Sequence, residues 1–143
     1  MFHAEHAETQ RFMDLIEKQT ENSISTTVIK RCIEIHQSFG PGLFETVYEE
    51  VLYHELIESG LSVKRQVAIP IIWKGRKMDH GFRADLIIEN KVLVEIKSVE
   101  ALNPVFFKQV LTYLRLSNLK LGLLINFNED LIKKGYKRIV NNL

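Results

Sequence analysis

A single cysteine among 143 residues leaves no internal disulfide to form, which sets aside the small stapled scaffolds of oxidising compartments. Its setting, VIKRCIEIH, is one apolar face of a helix, so the Cys32 thiol reads as a small buried hydrophobe in a reducing compartment. Three prolines and seven glycines are too few for a fibrous or disordered chain. No apolar run approaches the ~20 residues of a membrane-spanning helix. The opening MFHAEHAETQ lacks the apolar core of a signal peptide, so the expectation is a cytoplasmic protein with no membrane partner. Charge of one sign is also lacking: 19 Lys and Arg face 18 Asp and Glu, for a net charge of +1. A near-neutral total does not announce a nucleic-acid binder, yet it leaves room for a local basic groove. There is no phosphate loop, no GxSxG and no Cys/His zinc spacing, and His36, His54 and His80 show no ligand spacing among themselves.

What is present fits one domain with a real core, 45% hydrophobic and 26% charged. Residues 1–24 read as an N-terminal arm or short helix, and residues 25–143 as the domain. Val28, Cys32, Ile35 and Phe39 recur at helical spacing up to the stop FGPG. A second helix is expected from Phe44 to Ser59, with Val47, Val51, Leu52 and Leu56 as its stripe and Gly60 as its cap. LSVKRQVAIPIIW then alternates Val63, Arg65, Val67, Ile69 and Ile71 on one side, as a strand does, while Pro70 argues for a sheet edge or a bulge. Lys74–Gly75 suits a hairpin tip. WKGRK gathers Lys74, Arg76 and Lys77 around it, either as a solvated turn or as a contact for a nucleic-acid backbone. A strand from Arg76 to Ile88, a turn at ENK and a strand VLVEIKS follow. Asn103–Pro104 opens a helix with an apolar stripe of Phe106, Val110 and Leu114. KLGLLINF is a buried strand, and a short helix is expected between Leu131 and Asn141. The implied fold is α/β (α+β), a mixed central sheet flanked by helices: an antiparallel meander, then a helix crossing back to a parallel strand.

VLVEIKS contains the unusual chemistry. Val92, Val94 and Ile96 suit burial on one face, while Glu95 and Lys97, two residues apart, share the other. Asp85, in GFRADLIIE, lies in the preceding strand. A two-residue loop at Glu89–Asn90 pairs Asp85 with Val94 and separates the acids. A three-residue loop from Glu89 to Lys91 pairs Asp85 with Glu95, given a left-handed Asn90 or Lys91, and a bulge near Asp85 serves as well. Two facing carboxylates repel unless a hard cation with oxygen ligands relieves them. Mg²⁺ is held by one or two carboxylates, waters and a substrate phosphate. Lys97 adds a fixed charge able to orient a water or steady a phosphoryl group. The trio suits metal-assisted phosphodiester hydrolysis, and its bland alternative is a structural ion pair near a strand end. Glu45 is either a first-turn complement to the helix dipole or a further acid aimed at the metal. Tyr48 lies one turn on, as a packing residue or a substrate-positioning one. Gln109 and Tyr113, four apart on one helix face, could hold a phosphate or position Lys97, or form a polar pair at the core edge. His36 reads as a helix residue near this site.

GPGLFETVYEEVLYHEL, with Gly42, Glu45 and Tyr48, resembles the signature of the GxxExxY protein family. The likeness continues through GFRADLIIENKVLVEIKSVEAL, QVLTYLRLSNLKLGLLINF and GYKRIVN, over most of the chain from Ser25 onward. That family is placed in the PD-(D/E)XK nuclease-like superfamily, with a restriction-endonuclease-like core α-β-β-β-α-β. The resemblance implies that Asp85 matches a metal-binding aspartate, Glu95 and Lys97 the ExK pair, and Glu45 the acid on the helix before the meander. Gln109 and Tyr113 match a QxxxY motif of the exonuclease branch. Ala84 replaces the proline of the superfamily's name, a residue that is not a ligand.

Together these readings set the expectation of a Mg²⁺-dependent nuclease, with Mn²⁺ as a substitute, acting on nucleic acid, DNA before RNA, in an exonuclease-like manner. Asp85 and Glu95 would hold the metal, with the Ile96 carbonyl as a third ligand and Glu45 binding directly or through water. Lys97 would orient the nucleophile, while Gln109, Tyr113 and Tyr48 would position substrate. A small domain with a short groove could also act as a homo-oligomer. The alternative is a non-catalytic module of the same fold that associates with DNA or protein.

Overall fold

The computed structural model describes residues 2–143. Helix α1 spans Phe2–Lys18, in the stretch read as an arm or short helix. Helix α2, Glu21–Phe39, begins where the Thr20 hydroxyl accepts the Ser23 amide at 3.2 Å, an N-cap that satisfies one of the orphan donors of the first turn. Ile24, Val28, Cys32 and Ile35 are buried along it, whereas Phe39, expected to end the stripe, is 52% exposed. Helix α3, Glu45–Glu58, buries Tyr48, Glu49, Leu52 and Leu56. Its inward stripe is therefore rotated from the expected one, with Tyr48 taking the core position and Val47 left at the surface.

The two long strands expected before the ENK turn are each broken in two. Strands β1 (Val63–Ile69) and β2 (Ile72–Trp73) flank Pro70, which has no amide to give a ladder; β3 (Arg76–Lys77) and β4 (Phe82–Ile88) flank Gly81. At Gly81 a Cβ would stand 2.7 Å from the Ile69 carbonyl oxygen, so the chains cross too closely there for any side chain. The short pieces pair as a separate two-stranded ribbon. Strand β5 is Val92–Lys97, helix α4 Pro104–Ser117 and strand β6 Leu121–Asn126. Asn103 caps α4 by accepting the Val105 amide at 3.0 Å, and Pro104 takes the first turn. The closing helix is only one turn, α5 (Ile132–Gly135), and strand β7 (Tyr136–Val140) follows it antiparallel to β6. The expectation of a helix through Asn141 fails because Tyr136 packs into one core and Ile139 into the other, an alternation that belongs to a strand.

The main sheet runs β1-β4-β5-β6-β7, antiparallel except for the parallel pair β5–β6. One face carries Leu86, Ile88, Val92, Val94, Ile96, Leu121, Leu123 and Ile125 against α2 and α3. The other carries Ile87, Leu93 and Leu124 against Val110 and Leu114 of α4. Helix α4 lies so close to β6 that a Cβ on Gly122 would meet Val110 at 2.6 Å. The order α3-β1-β4-β5-α4-β6 is the α-β-β-β-α-β core of a restriction-endonuclease-like fold, a mixed sheet flanked by helices.

Candidate metal and phosphate site at a split in the sheet

Strict alternation fails at one place in the sheet. In β4, Leu86 and Ile88 face α2 and α3, but Ala84 and Phe82, of the same parity, face α4. The same inversion occurs in β1 between Val63 and Val67. Between them lies Gln66, with a φ of 48° inside a strand, a conformation costly for any residue with a Cβ. Its register position faces Asp85, and the Arg83 guanidinium donates to its carbonyl at 3.1 Å. The sheet thus twists sharply at the level of Asp85 and Gln66.

That twist opens β4 from β5. Their pairing runs Ile88↔Val92, Ile87↔Leu93, Leu86↔Val94 and stops, a register that sets Asp85 opposite Glu95, as the three-residue ENK loop requires. The left-handed residues of the turn are Glu89 and Asn90, at φ of 54° and 52°. Beyond Leu86↔Val94, side chains take over the ladder. The Ile96 amide donates to Asp85 Oδ2 at 2.8 Å, and the Asp85 amide donates to Glu95 Oε1 at 3.1 Å. The Lys97 carbonyl accepts from the Phe127 amide on the β6 side, so Ile96, one residue back, turns both its amide and its carbonyl toward the gap.

Of the two carboxylates held together here, Glu95 is buried and Asp85 half-buried. Glu95 is only 7% exposed, and its pKa is pushed up to about 8, first by burial and then by the charge of Asp85. The Asp85 amide and the charge of Lys97 pull it down, and Glu45 pushes it further up. Asp85 is raised as well, chiefly by burial and also by Glu49, against the Ile96 amide, Gln66 and Lys97. Lys97 is half-buried, with its ammonium 4.4 Å from the centre of the Phe106 ring, and makes no ion pair among the described residues.

Sequence reasoning missed two side chains around this pair. Gln66 Nε2 donates to Asp85 Oδ1 at 3.3 Å and to Glu49 Oε1 at 2.5 Å. Glu49 is buried and ion-paired to Arg65 at 3.2 Å. The signal for Glu49 is its place four residues after Glu45, on the same helix face. Nothing in KRQV signals a left-handed glutamine.

Glu45, Tyr48 and Gly42 form a separate, adjoining arrangement. Gly42 has a φ of 99°, open only to glycine. Tyr48 is fully buried and stacked on Phe127 at 4.3 Å. Its hydroxyl donates to the Gly40 carbonyl at 2.6 Å and accepts the Leu43 amide at 3.1 Å. Those bonds commit the hydroxyl to the loop that delivers Glu45, whose Oε1 accepts the Ser98 amide at 3.3 Å. Ser98 Oγ returns a bond to the Leu43 carbonyl at 2.7 Å. Fully buried Asn126 fastens the same exit from β5, accepting the Val99 amide at 3.1 Å and donating to the Val99 carbonyl at 2.9 Å. An open cleft of about 510 Å³ lies over this loop, lined by Phe44, Glu45, Ser98 and Asn128. On the far side, Tyr113 packs against Phe82 at 4.6 Å. Burial raises its pKa, and so do the charges of Glu95 and Asp85, which places its hydroxyl in their field. Gln109 is exposed one turn earlier on α4. His36 is engaged away from the acids: its Nε2 meets the Glu129 carbonyl at 2.8 Å.

Among the described residues no three His, Cys, Asp or Glu side chains come together as a ready metal shell. The donor set that does converge is two carboxylates and a freed main-chain carbonyl. Its all-oxygen character fits a hard cation that keeps several waters, such as Mg²⁺, and does not fit zinc.

No curated protein matches this chain. One solved structure, "Crystal structure of SSO0001", is similar at 21% identity and a TM-score of 0.43, over 84% of this chain and 79% of that one, too loose a likeness to carry an argument. The model of the PD-(D/E)XK nuclease superfamily matches residues 22–139, nearly all of the sheet and its helices. By that match, the chain belongs to the PD-(D/E)XK nuclease superfamily.

Proposed function

We propose that this protein is a metal-dependent nuclease hydrolysing phosphodiester bonds, with DNA as substrate and exonuclease-like action at strand ends. One observation carries the reading: a buried carboxylate, Glu95, and a half-buried one, Asp85, are locked at a split in the sheet beside Lys97, which makes no ion pair among the described residues. Packing acids together away from water costs stability unless a cation offsets it. Bound Mg²⁺, or Mn²⁺ in its place, would polarise the scissile phosphoryl group and lower the pKa of a coordinated water.

The chain's own residues do the rest. Asp85, Glu95 and the Ile96 carbonyl would hold the cation, and the two main-chain amides that bond the carboxylates fix their orientation. Glu45, standing off at the Ser98 amide, acts through an intervening water. Lys97 orients the attacking water and steadies charge on the phosphoryl oxygens. Tyr113 and Gln109 position the phosphate from α4. Tyr48 serves by holding the Gly40–Leu43 loop, so its part in positioning substrate is indirect. We assign the chain to the GxxExxY branch on its Gly42, Glu45 and Tyr48, and place it in the cytoplasm.

The test is cleavage of end-labelled single- and double-stranded DNA and RNA, with and without Mg²⁺. Glu95→Gln and Lys97→Ala are each expected to lose about 10²–10³-fold in rate, with circular dichroism unchanged. Full cleavage by both variants would sink the reading. The alternative is a non-catalytic module of the same fold for DNA or protein association; among the described residues no third acidic, His or Cys side chain joins the pair. Calorimetry with Mg²⁺ separates the two, since the module binds no metal.

A further inference from the structure

The ribbon β2–β3 contributes no residue to either core cluster or to the acid site. It leaves the sheet at the acid end: β1 enters it just after Ile69, and β4 leaves it at Phe82, three residues before Asp85. Phe82 at its base touches Tyr113, which lies in the field of Glu95 and Asp85. From Gln66, opposite Asp85, to Trp73 is at most roughly 24 Å of extended chain.

The ribbon has definite shape without a core of its own. Ile72 pairs with Lys77 and Trp73 with Arg76, and the Met78 amide donates to the Ile71 carbonyl at 2.8 Å. Lys74 and Gly75 both have positive φ, 50° and 78°, as a tight two-residue hairpin turn requires. All four strand residues are exposed, including Ile72 at 62% and Trp73 at 66%. Within five residues stand the indole and three cations, Lys74, Arg76 and Lys77, with no acid among them, in a chain whose total charge is only +1. The Lys74 ammonium lies 5.8 Å from the indole centre.

We infer that this ribbon is a clamp for an unpaired nucleic-acid strand, with a base stacking on Trp73 and its phosphates neutralised by Lys74, Arg76 and Lys77. Exposed indoles flanked by cations are the chemistry of single-strand grooves, where stacking and backbone charge act together. A second copy of the chain is a poor occupant, because ribbon against ribbon would bring six like charges together. The inference rests on the nuclease reading and deepens it: the ribbon would hold the strand whose phosphodiester reaches Asp85 and Glu95.

Trp73 is the chain's one tryptophan, so its fluorescence reports on this site alone. The experiment titrates a fluorescein-labelled oligothymidylate, and a blunt duplex, into the Glu95→Gln protein, reading indole quenching and label anisotropy at several salt concentrations. The single strand is expected to quench Trp73 in step with binding, and the blunt duplex to do so less. Trp73→Ala is expected to weaken single-strand binding about tenfold. Lys74→Ala/Arg76→Ala/Lys77→Ala is expected to flatten the slope of log affinity against log salt by about 2.

Binding without quenching, quenching equal with the blunt duplex, unchanged affinity in both ribbon variants, or no binding at all would each overturn the clamp. So would a fall from dimer to monomer on Trp73→Ala with binding untouched, since the ribbon would then be a self-association surface. The nuclease reading fails separately: quenching without cleavage by wild type leaves the clamp standing, and cleavage indifferent to the ribbon variants leaves the nuclease standing.

Discussion

The β4–β5 hairpin has two ends built on opposite principles. At the turn end, Leu86 to Ile88 pair with Val92 to Val94 in unbroken register, and every one of these residues is buried and aliphatic. At the open end, pairing stops, and two carboxylates stand in for the missing ladder partners. Leu93 and Glu95 make the contrast within two residues of one strand and on one face: the first fills the core under α4, and the second is just as enclosed yet ionisable. The difference teaches where stability is made and where it is given up. The turn end gains from burial, and the open end loses by desolvating acids, in exchange for a site able to draw in a cation.

The largest effect should come from breaking the turn end. Leu93 is fully buried against Val110 and Leu114, so Leu93→Ala leaves a cavity and is expected to destabilise the protein by about 2–5 kcal/mol. Urea unfolding followed by circular dichroism measures it. A cost well below that range would mean α4 collapses onto the sheet.

Two residues along, the opposite sign is expected. Glu95→Gln keeps an acceptor for the Asp85 amide and no longer has to take up a proton on folding, so it should stabilise the metal-free protein by about 1–3 kcal/mol at pH 7. The pH dependence has a matching direction. Folded Glu95 keeps its proton up to about pH 8, whereas the unfolded chain releases it near 4.5. Across that window the folded form binds the extra proton, so metal-free stability is full below it and falls as pH rises through it. The raised Asp85 works in the same direction. The Glu95→Gln melting temperature should therefore decline less between pH 5 and 8 than that of wild type; parallel declines would place the proton elsewhere.

A cation competes with that proton, which gives a third outcome. Mg²⁺ added to wild type should raise the melting temperature more above pH 8 than at pH 6, because at the lower pH it must first displace a proton. Equal shifts at both values, or an undiminished shift in Glu95→Gln, would remove the acid pair as the cation's seat.

The same contrast explains what the sequence disclosed. The turn end was legible as a hairpin because Leu86–Ile88 and Val92–Val94 are aliphatic runs around a turn, but such runs pair well in either register, and only the structure decides between the two- and three-residue loops. The facing of Asp85 and Glu95 follows once that register is fixed at the ENK loop. The open end was legible only as residue types. That Asp85 and Glu95 replace ladder bonds depends on the kink at Gln66, and no local propensity asks for a left-handed glutamine in a strand. The edge strand β7 was hidden for a related reason: YKRIV is short and carries two adjacent cations, Lys137 and Arg138, and its strand character comes from pairing with β6 rather than from itself. Tyr48 shows a third limit. Its helical spacing from Glu45 was visible, but its hydroxyl's engagement with Gly40 and Leu43 depends on the fold of the preceding loop.

The smallest effect should come from altering the turn itself. Glu89 and Asn90 both sit at positive φ, and the Lys91 amide closes the turn on the Ile88 carbonyl at 2.9 Å. Glu89 also receives the Ser62 amide on Oε1 at 2.9 Å, which ties the turn to the start of β1 and argues for leaving it in place. Asn90 makes no comparable side-chain bond among those described, and glycine favours its conformation without a Cβ penalty. Asn90→Gly relieves the left-handed Cβ but adds freedom to the unfolded chain worth about 0.4–1 kcal/mol, so the net change in stability is expected to stay within about 1 kcal/mol. Cleavage should not change, because the turn lies at the far end of the hairpin from Asp85 and Glu95. A change in stability that came with altered cleavage would show that the two ends are mechanically coupled through the strands, and that the register set at the turn tunes the spacing of the acids.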